Sequence, residues 1–257
     1  MRAFRELAAS PPADGSRLFL DGAHLVQDAR AAGLLIERAA VSAKHVEDGS
    51  EVAGLAASLA HGGVDVLAVT DPVMRAMSPV RSPSGIVAIA SRQPFSPAGI
   101  CRHPHALIVA AMDVQDPGNL GALIRAAEAG GATGALVGGR SASPFSWKAV
   151  RGSMGSVLRL PIAAGGAPEA LVQCAGRFGV RRVASVARDG QSPDAIDWRG
   201  PVMLVVGGEG AGLAERTLAA CDARVTIPMA PPVESLNVAV AGALLVYEAR
   251  RQRNLAP

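Results

Sequence analysis

The stretch Ala106-Leu-Ile-Val-Ala-Ala-Met112, then Leu120-Gly-Ala-Leu-Ile-Arg-Ala-Ala-Glu-Ala129, then Gly130-Gly131 and Gly134-Ala-Leu-Val-Gly138, decides the fold. The first segment is a short apolar run of strand length. The second has the apolar spacing of an amphipathic helix. The glycine pair stops that helix, and a second short apolar run follows. Strand, helix, strand at this spacing is a βαβ unit, which requires parallel pairing because the crossover is a helix.

Downstream the rhythm continues. Ser146–Arg151 reads as a short helix, Pro168–Phe178 as a helix, and Arg182–Ala187 and Pro201–Val206 as strands. A Gly-rich loop leads to a helix at Leu213–Ala220, a strand at Arg224–Pro228 and a final helix at Val238–Arg253. That last helix is rich in small residues (Ala239, Ala241, Gly242, Ala243), which allow close approach of another backbone. Upstream, strands are expected at Leu18–Leu20, Ala39–Ser42, Val64–Thr70 and Gly85–Ala90, with helices at Ala23–Ala32 and Glu51–Ala60. The segment between the two parts carries Pro94, Pro97, Gly99 and Pro104 and no apolar period, and reads as a linker. The division is therefore residues 1–90, a linker at 91–105, and residues 106–257. Both parts are α/β. The first 16 residues are polar and contain Pro11-Pro12, and read as loosely held.

Composition narrows the class. Hydrophobic residues make up 49%, enough for an ordinary core, but aromatics are only 3%, so base stacking on exposed rings is a minor route to nucleic acid. The net charge of +3 is mildly basic and compatible with a polyanionic partner. Cys101, Cys174 and Cys221 are odd in number and far apart, with no C-x-x-C. Neither a disulfide framework nor a metal site is indicated, and a reducing cytoplasm fits. Arg2, Arg5 and Glu6 have no apolar core behind them, unlike a signal peptide, and no 18-residue apolar run is present, so no membrane span is expected.

Three motifs carry chemistry. In Asp113-Val-Gln-Asp-Pro-Gly-Asn-Leu-Gly-Ala-Leu-Ile-Arg125, Asn119 reads as the helix N-cap, and Arg125 leans back over Gly121 toward the strand-end crevice. A guanidinium there suits phosphate or a developing oxyanion; the plainer alternative is a surface Arg125–Glu128 pair. In Leu204-Val-Val-Gly-Gly-Glu-Gly-Ala-Gly-Leu213, glycines let backbone approach a ligand, yet the full dinucleotide G-x-G-x-x-G is missing, and a plain turn reads equally well. In Ile227-Pro-Met-Ala-Pro-Pro-Val-Glu-Ser-Leu-Asn237, a buried strand and a Pro-stiffened turn precede the last helix, which Ser235 or Asn237 opens. None of the five histidines falls beside these motifs, which disfavours a histidine base.

Taken in order, the motifs resemble the SpoU (TrmH-like) family of RNA ribose methyltransferases, in the SPOUT superfamily. The matching residues are Asp116-Pro-Gly-Asn-Leu-Gly121 with Arg125, Gly207-Gly-Glu-Gly210 with Gly212-Leu213, and Ile227-Pro-Met229 with Ser235-Leu-Asn-Val238. Lys148-Ala-Val-Arg-Gly-Ser-Met-Gly155 looks like the family's intervening segment, and the likeness covers residues 106–253. Leu18–Val26 and Ser82–Ala88 look like the family's ribosomal-protein-like substrate-binding domain.

The resemblance implies a parallel-sheet SPOUT domain with a C-terminal trefoil knot, S-adenosylmethionine as cofactor, and a homodimer with a shared active site. It implies cofactor contacts at Gly207, Gly208, Glu209, Gly210, Ile227, Met229 and Leu236, catalytic Arg125, and a site shaped by Asn119, Glu209, Ser235 and Asn237. The RNA partner would be ribosomal or transfer RNA, with Arg17, Lys148, Arg151 and Arg159 as candidate phosphate contacts alongside the Arg181-Arg182 pair. No metal and no membrane partner are implied. The sequence departs from the family in its short N-terminal segment, in Asp21 where Glu is frequent, and in Pro231-Pro232. Two other readings are a non-catalytic RNA-binding protein keeping the fold, and a nucleotide-dependent oxidoreductase using Gly207–Gly212. The intact polar motif positions disfavour the first, and the incomplete, late glycine pattern disfavours the second.

Overall fold

A computed structural model of the chain describes residues 1–46, 49–80, 83–210 and 212–254. Ser82 of the upstream family-like segment and Ala211 of the Gly-rich loop lie outside the described residues.

The N-terminal part is built from α1 (Arg2–Ala9), β1 (Arg17–Asp21), α2 (Ala23–Ala31), β2 (Leu35–Ser42), α3 (Glu51–His61), β3 (Asp65–Val69), α4 (Asp71–Met77) and β4 (Ile86–Ser91). Its four strands form a mixed sheet in the order β1-β4-β2-β3, with only β2 and β3 parallel. The first residues are not loose as expected. They form α1, whose Phe4, Leu7 and Ala8 are buried with Phe19, Val87 and Ile89 of the sheet. The polar composition conceals a single apolar stripe, which is all a surface helix needs.

The expected linker is also more ordered than its prolines suggest. It contains α5 (Pro97–Cys101), opened by the Ser96 side chain accepting from the Gly99 N–H at 3.1 Å, and Ile100 and Cys101 are buried against the second sheet. At its start, Arg92 lies between the rings of Phe95 and Phe145, its carbon 5.4 and 5.2 Å from their centroids. Its Nη1 donates to the Val157 carbonyl at 3.1 Å, and burial pushes its pKa down to about 10.

The second part holds β5 (Leu107–Met112), α6 (Pro117–Ala129), β6 (Gly134–Gly138), α7 (Trp147–Gly152), α8 (Ser156–Arg159), β7 (Ile162–Ala164), α9 (Pro168–Arg177), β8 (Arg181–Ser185), β9 (Val202–Gly207), α10 (Glu215–Ala219), β10 (Ala223–Val225) and α11 (Val238–Asn254). Six parallel strands run in the order β10-β8-β9-β5-β6-β7. Alternate residues of β5 bury on opposite faces, with Leu107, Val109 and Ala111 in one cluster and Ile108, Ala110 and Met112 in another. This is why the strand reads as a continuous apolar run. The larger cluster also takes in Leu18, Leu20, Ile86 and Ala88, so the two sheets share one continuous apolar core. Among the described residues no helix is long and apolar enough to cross a membrane.

Candidate active site

Connections from β5 run one way, to β6 and β7, while β9 lies on the other side of β5. Ligand crevices in parallel sheets open at such a reversal, beyond the carboxyl ends of the strands. Met112 pairs with Gly207 in this register, so the loops carrying the first two motifs emerge side by side. They pack tightly. A Cβ on Gly208 would sit 2.1 Å from the Asp113 carbonyl oxygen, and one on Gly207 would sit 2.4 Å from the Gly212 carbonyl carbon. Only glycine fits either place. Gly210 and Gly212 take left-handed backbone, at φ +85° and +64°.

The cap of α6 is Asp116, not Asn119. Asp116 accepts from the Asn119 N–H at 2.7 Å, and Pro117 opens the helix, as its fixed φ and missing N–H favour. The Asn119 side chain is thereby released for a different task. Its Nδ2 donates to Glu209 Oε1 at 2.6 Å, and its Oδ1 accepts from Asn237 Nδ2 at 3.0 Å. Asn237 also donates to Glu209 Oε1 at 3.1 Å. Asn237 does cap the last helix: its Oδ1 accepts from the N–H groups of Ala239 and Val240, at 2.9 and 3.3 Å. The cap consumes the oxygen of Asn237, so its amino group must face Asn119 and Glu209. That in turn orients the amide of Asn119. Three residues from three separate motifs are thus locked in one hydrogen-bonded set.

Beside this set lies a cleft of about 210 Å³. Gly207, Gly208, Glu209, Gly210, Ile227, Met229, Ser235 and Leu236 all line it. So do Ser185, Val186 and Ala187 at the end of β8, which sequence reasoning passed over. Their only signal was their place after a buried strand. Ile227 lies beyond β10, which ends at Val225, rather than within a strand. Pro228 lacks an N–H and cannot extend the ladder.

Arg125 is exposed and has no hydrogen-bond or ion-pair partner among the described residues. The alternative pairing with Glu128 is excluded because Arg159 takes that carboxylate in a fork at 2.7 and 2.9 Å. Nor is Gly121 an open shelf for Arg125. A Cβ there would meet the Ala149 carbonyl oxygen at 2.7 Å and the Ser153 nitrogen at 2.9 Å, so the gap is filled by α7.

The basic residues sort by partner. Arg17 is held by Glu37, and Arg159 bridges Glu128 and, at 3.2 Å, Asp28 of α2. Arg182 is tied to Asp222. Lys148 lies 5.7 Å from the Trp147 ring centroid, and Arg151 is exposed without a partner among the described residues.

The SpoU rRNA Methylase family model matches residues 106–247, more than half of the chain. The chain belongs to the SpoU methylase family. A Synechocystis relative described as a tRNA/rRNA methyltransferase is 34% identical over 240 residues, covering 92% of this chain and 85% of its own length. An S-adenosylmethionine-bound rRNA methyltransferase from Sinorhizobium meliloti superposes with a TM-score of 0.84 at 31% identity, covering all of this chain and 95% of that one. An RNA 2′-O-ribose methyltransferase structure superposes at 0.78 and 30% identity, covering 98% and 96%. In this SpoU methyltransferase the glycine-walled cleft and the Asn119–Glu209–Asn237 set come from the three segments that carry the family pattern.

Proposed function

We propose that this protein transfers a methyl group from S-adenosylmethionine to a ribose 2′-hydroxyl of ribosomal or transfer RNA. The observation carrying this reading is the locked Asn119–Glu209–Asn237 set beside the cleft, which Glu209 lines. The cleft fits the cofactor chemically. Close packing of Gly207 and Gly208 leaves bare backbone as one wall, and Val206, Ile227 and Leu236 offer apolar surface to an uncharged nucleoside. When bound, the cofactor supplies a methyl group on a sulfonium, an electrophile open to direct attack by oxygen. The trefoil knot of the family belongs to this reading, with the loops after β9 and β10 forming facing walls of the cleft.

A ribose hydroxyl is a poor nucleophile and needs alignment and proton removal. Arginine stays protonated, with an ordinary pKa above about 12. Arg125 therefore orients the hydroxyl and stabilises the developing oxyanion, and its lack of a partner among the described residues leaves the guanidinium for the substrate. Asn119 and Asn237 occupy one oxygen of Glu209; the other has no partner among the described residues and is left to accept from a hydroxyl. Ser235 lines the cleft and helps position the acceptor. Lys148 and Arg151 take RNA phosphates in this reading. The charges of Arg17 and Arg159 are committed to ion pairs, and such residues add less. Replacing Lys148 or Arg151 should lower the log–log salt slope of RNA binding by about 0.7–0.9 each.

A second copy completes the site. Val240, Leu244 and Tyr247 form an apolar stripe on α11, each about half exposed, on the helix whose first turn Asn237 caps. Three large apolar side chains on one helix face suit a like surface. Three free cysteines fit action in a reducing cytoplasm.

The test is transfer of labelled methyl to unmodified ribosomal and transfer RNA, with nucleosides identified after digestion. A 2′-O-methyl nucleoside made by the wild type and reduced at least 100-fold by Arg125→Ala, a loss of about 2.7 kcal/mol, supports the reading. Full turnover by Arg125→Ala removes both roles given to it. Absence of cofactor binding by the wild type would favour the non-catalytic RNA-binding alternative.

A further inference from the structure

A second cleft, of about 410 Å³, opens between the N-terminal part and the α7–α8 turn, away from the glycine-walled one. Asp21 of β1, His24 and Leu25 of α2, Val52 of α3, Arg151 of α7 and Met154 of the turn contribute to its walls. The turn is unusual. Met154 holds left-handed backbone, at φ +49°, and the residue is 58% exposed. Such a conformation costs a non-glycine residue of order 1–3 kcal/mol and persists only where the surroundings impose it. Here they do. Buried Ser153 donates its hydroxyl to the Val150 carbonyl at 2.8 Å, and a Cβ on the next residue, Gly155, would sit 2.3 Å from Asp28 Oδ2. Arg159 fastens that same Asp28 to Glu128 across the two parts of the molecule. The fold thus sets the backbone at Met154 and leaves this long, polarizable residue largely exposed.

The cleft's charges say what it admits. Asp21, Asp28 and Glu51 line it and would repel a phosphate inside. Asp21 accepts from the Ser84 hydroxyl at 2.7 Å on one oxygen and from the Ser78 hydroxyl on the other, while Asp28 accepts from Arg159 at 3.2 Å and Glu51 from Gln27 at 3.0 Å. A carboxylate retains further lone pairs for amino donors. Arg151, exposed on the same wall, has no ion-pair partner among the described residues. We propose that this cleft receives one unpaired nucleobase of the RNA substrate, bearing an exocyclic amino group. Met154, Leu25 and Val52 lie against the base ring, and Arg151 takes the adjoining phosphate at the rim. A thioether against an aromatic ring is a favourable contact, and unpaired bases are what proteins read in RNA. This inference rests on RNA being the substrate.

The test uses in vitro transcribed, unmodified ribosomal RNA in filter binding, with the full-length wild type, Met154→Gly and Arg151→Gln. Met154→Gly should weaken RNA binding five- to tenfold while the Tm holds or rises, because glycine relieves the left-handed residue. A structural role would move both downward together. Arg151→Gln should weaken binding similarly and reduce the salt slope, with cofactor affinity unchanged for both variants. RNA affinity of Met154→Gly within twofold of wild type overturns the proposal, as does a loss accompanied by a lower Tm. Methyl transfer on the same samples separates the two readings. Transfer by wild type with unaffected variant binding retracts the cleft alone. Variant-sensitive RNA binding without transfer retracts the methyltransferase reading alone. No RNA binding by wild type retracts both.

Discussion

Asn237 does two jobs with one amide, and they are separable. Its oxygen caps α11 and its nitrogen holds Asn119 and Glu209. Serine is an equally good cap but has no amino group. Asn237→Ser should therefore change Tm little and lower kcat by roughly tenfold or more, the cost of one or two lost hydrogen bonds of about 1 kcal/mol each. Equal loss of stability and activity would show that capping is its main contribution. Gly121 is a residue whose identity space alone explains. Gly121→Ala drives a methyl into the α7 backbone and should destabilise by about 1–3 kcal/mol, read as a Tm several degrees lower.

At the scale of elements, α2, α6 and α8 are fastened by Arg159. Burial raises the pKa of Glu128, but hydrogen bonds from Arg159 and Ser156 and the Arg159 charge outweigh it, leaving Glu128 below its ordinary 4.5. A depressed carboxylate stabilises the fold above its unfolded pKa, and that stabilisation is lost as pH falls through the lower folded value. Wild type should thus lose this contribution below about pH 4.5, and Arg159→Gln should flatten that part of the Tm–pH curve. Unchanged acid sensitivity in the variant would rule the clamp out. A second pairing joins loops at the glycine-walled cleft: Arg188 Nη2 lies 3.2 Å from Glu234 Oε1, next to the wall residues Ala187 and Ser235. Exposed pairs contribute about 1 kcal/mol at most, so Arg188→Glu should speed cofactor release by no more than about fivefold. The effect should fade at high salt and reverse in the Arg188→Glu, Glu234→Arg double variant, all by stopped flow.

For the whole molecule, the apolar stripe on α11 carries the prediction. Leu244→Glu should produce a monomer in sedimentation velocity and lose methyl transfer while keeping its secondary structure. A monomeric, fully active variant would remove the need for a second copy. The same helix is held to α6 by glycines. A Cβ on Gly242 would lie 2.2 Å from Leu123 Cδ1, and one on Gly130 would lie 2.2 Å from Val246 Cγ1. Of the small residues that promised close packing, Gly242 meets α6, while Val240, Leu244 and Tyr247 stay exposed.

Periodicity alone determined the parallel βαβ core around Ala106–Gly138, since both strand faces are apolar and the helix has one apolar stripe. Motif order alone pointed to the family, because Asn119, Glu209 and Asn237 lie in short segments with distinctive local chemistry. Local patterns did not reveal α1, α4 or the helix inside 91–105. Each is short, and what stabilises it is burial of two or three side chains against a distant sheet. Which cations are already paired was likewise invisible, because the partners of Arg17, Arg92 and Arg159 are remote in sequence. The cap of α6 and the orientation of Asn119 were decided only where three loops meet. Hydrogen-bond direction depends on every neighbour at once, and spacing along one segment does not carry it.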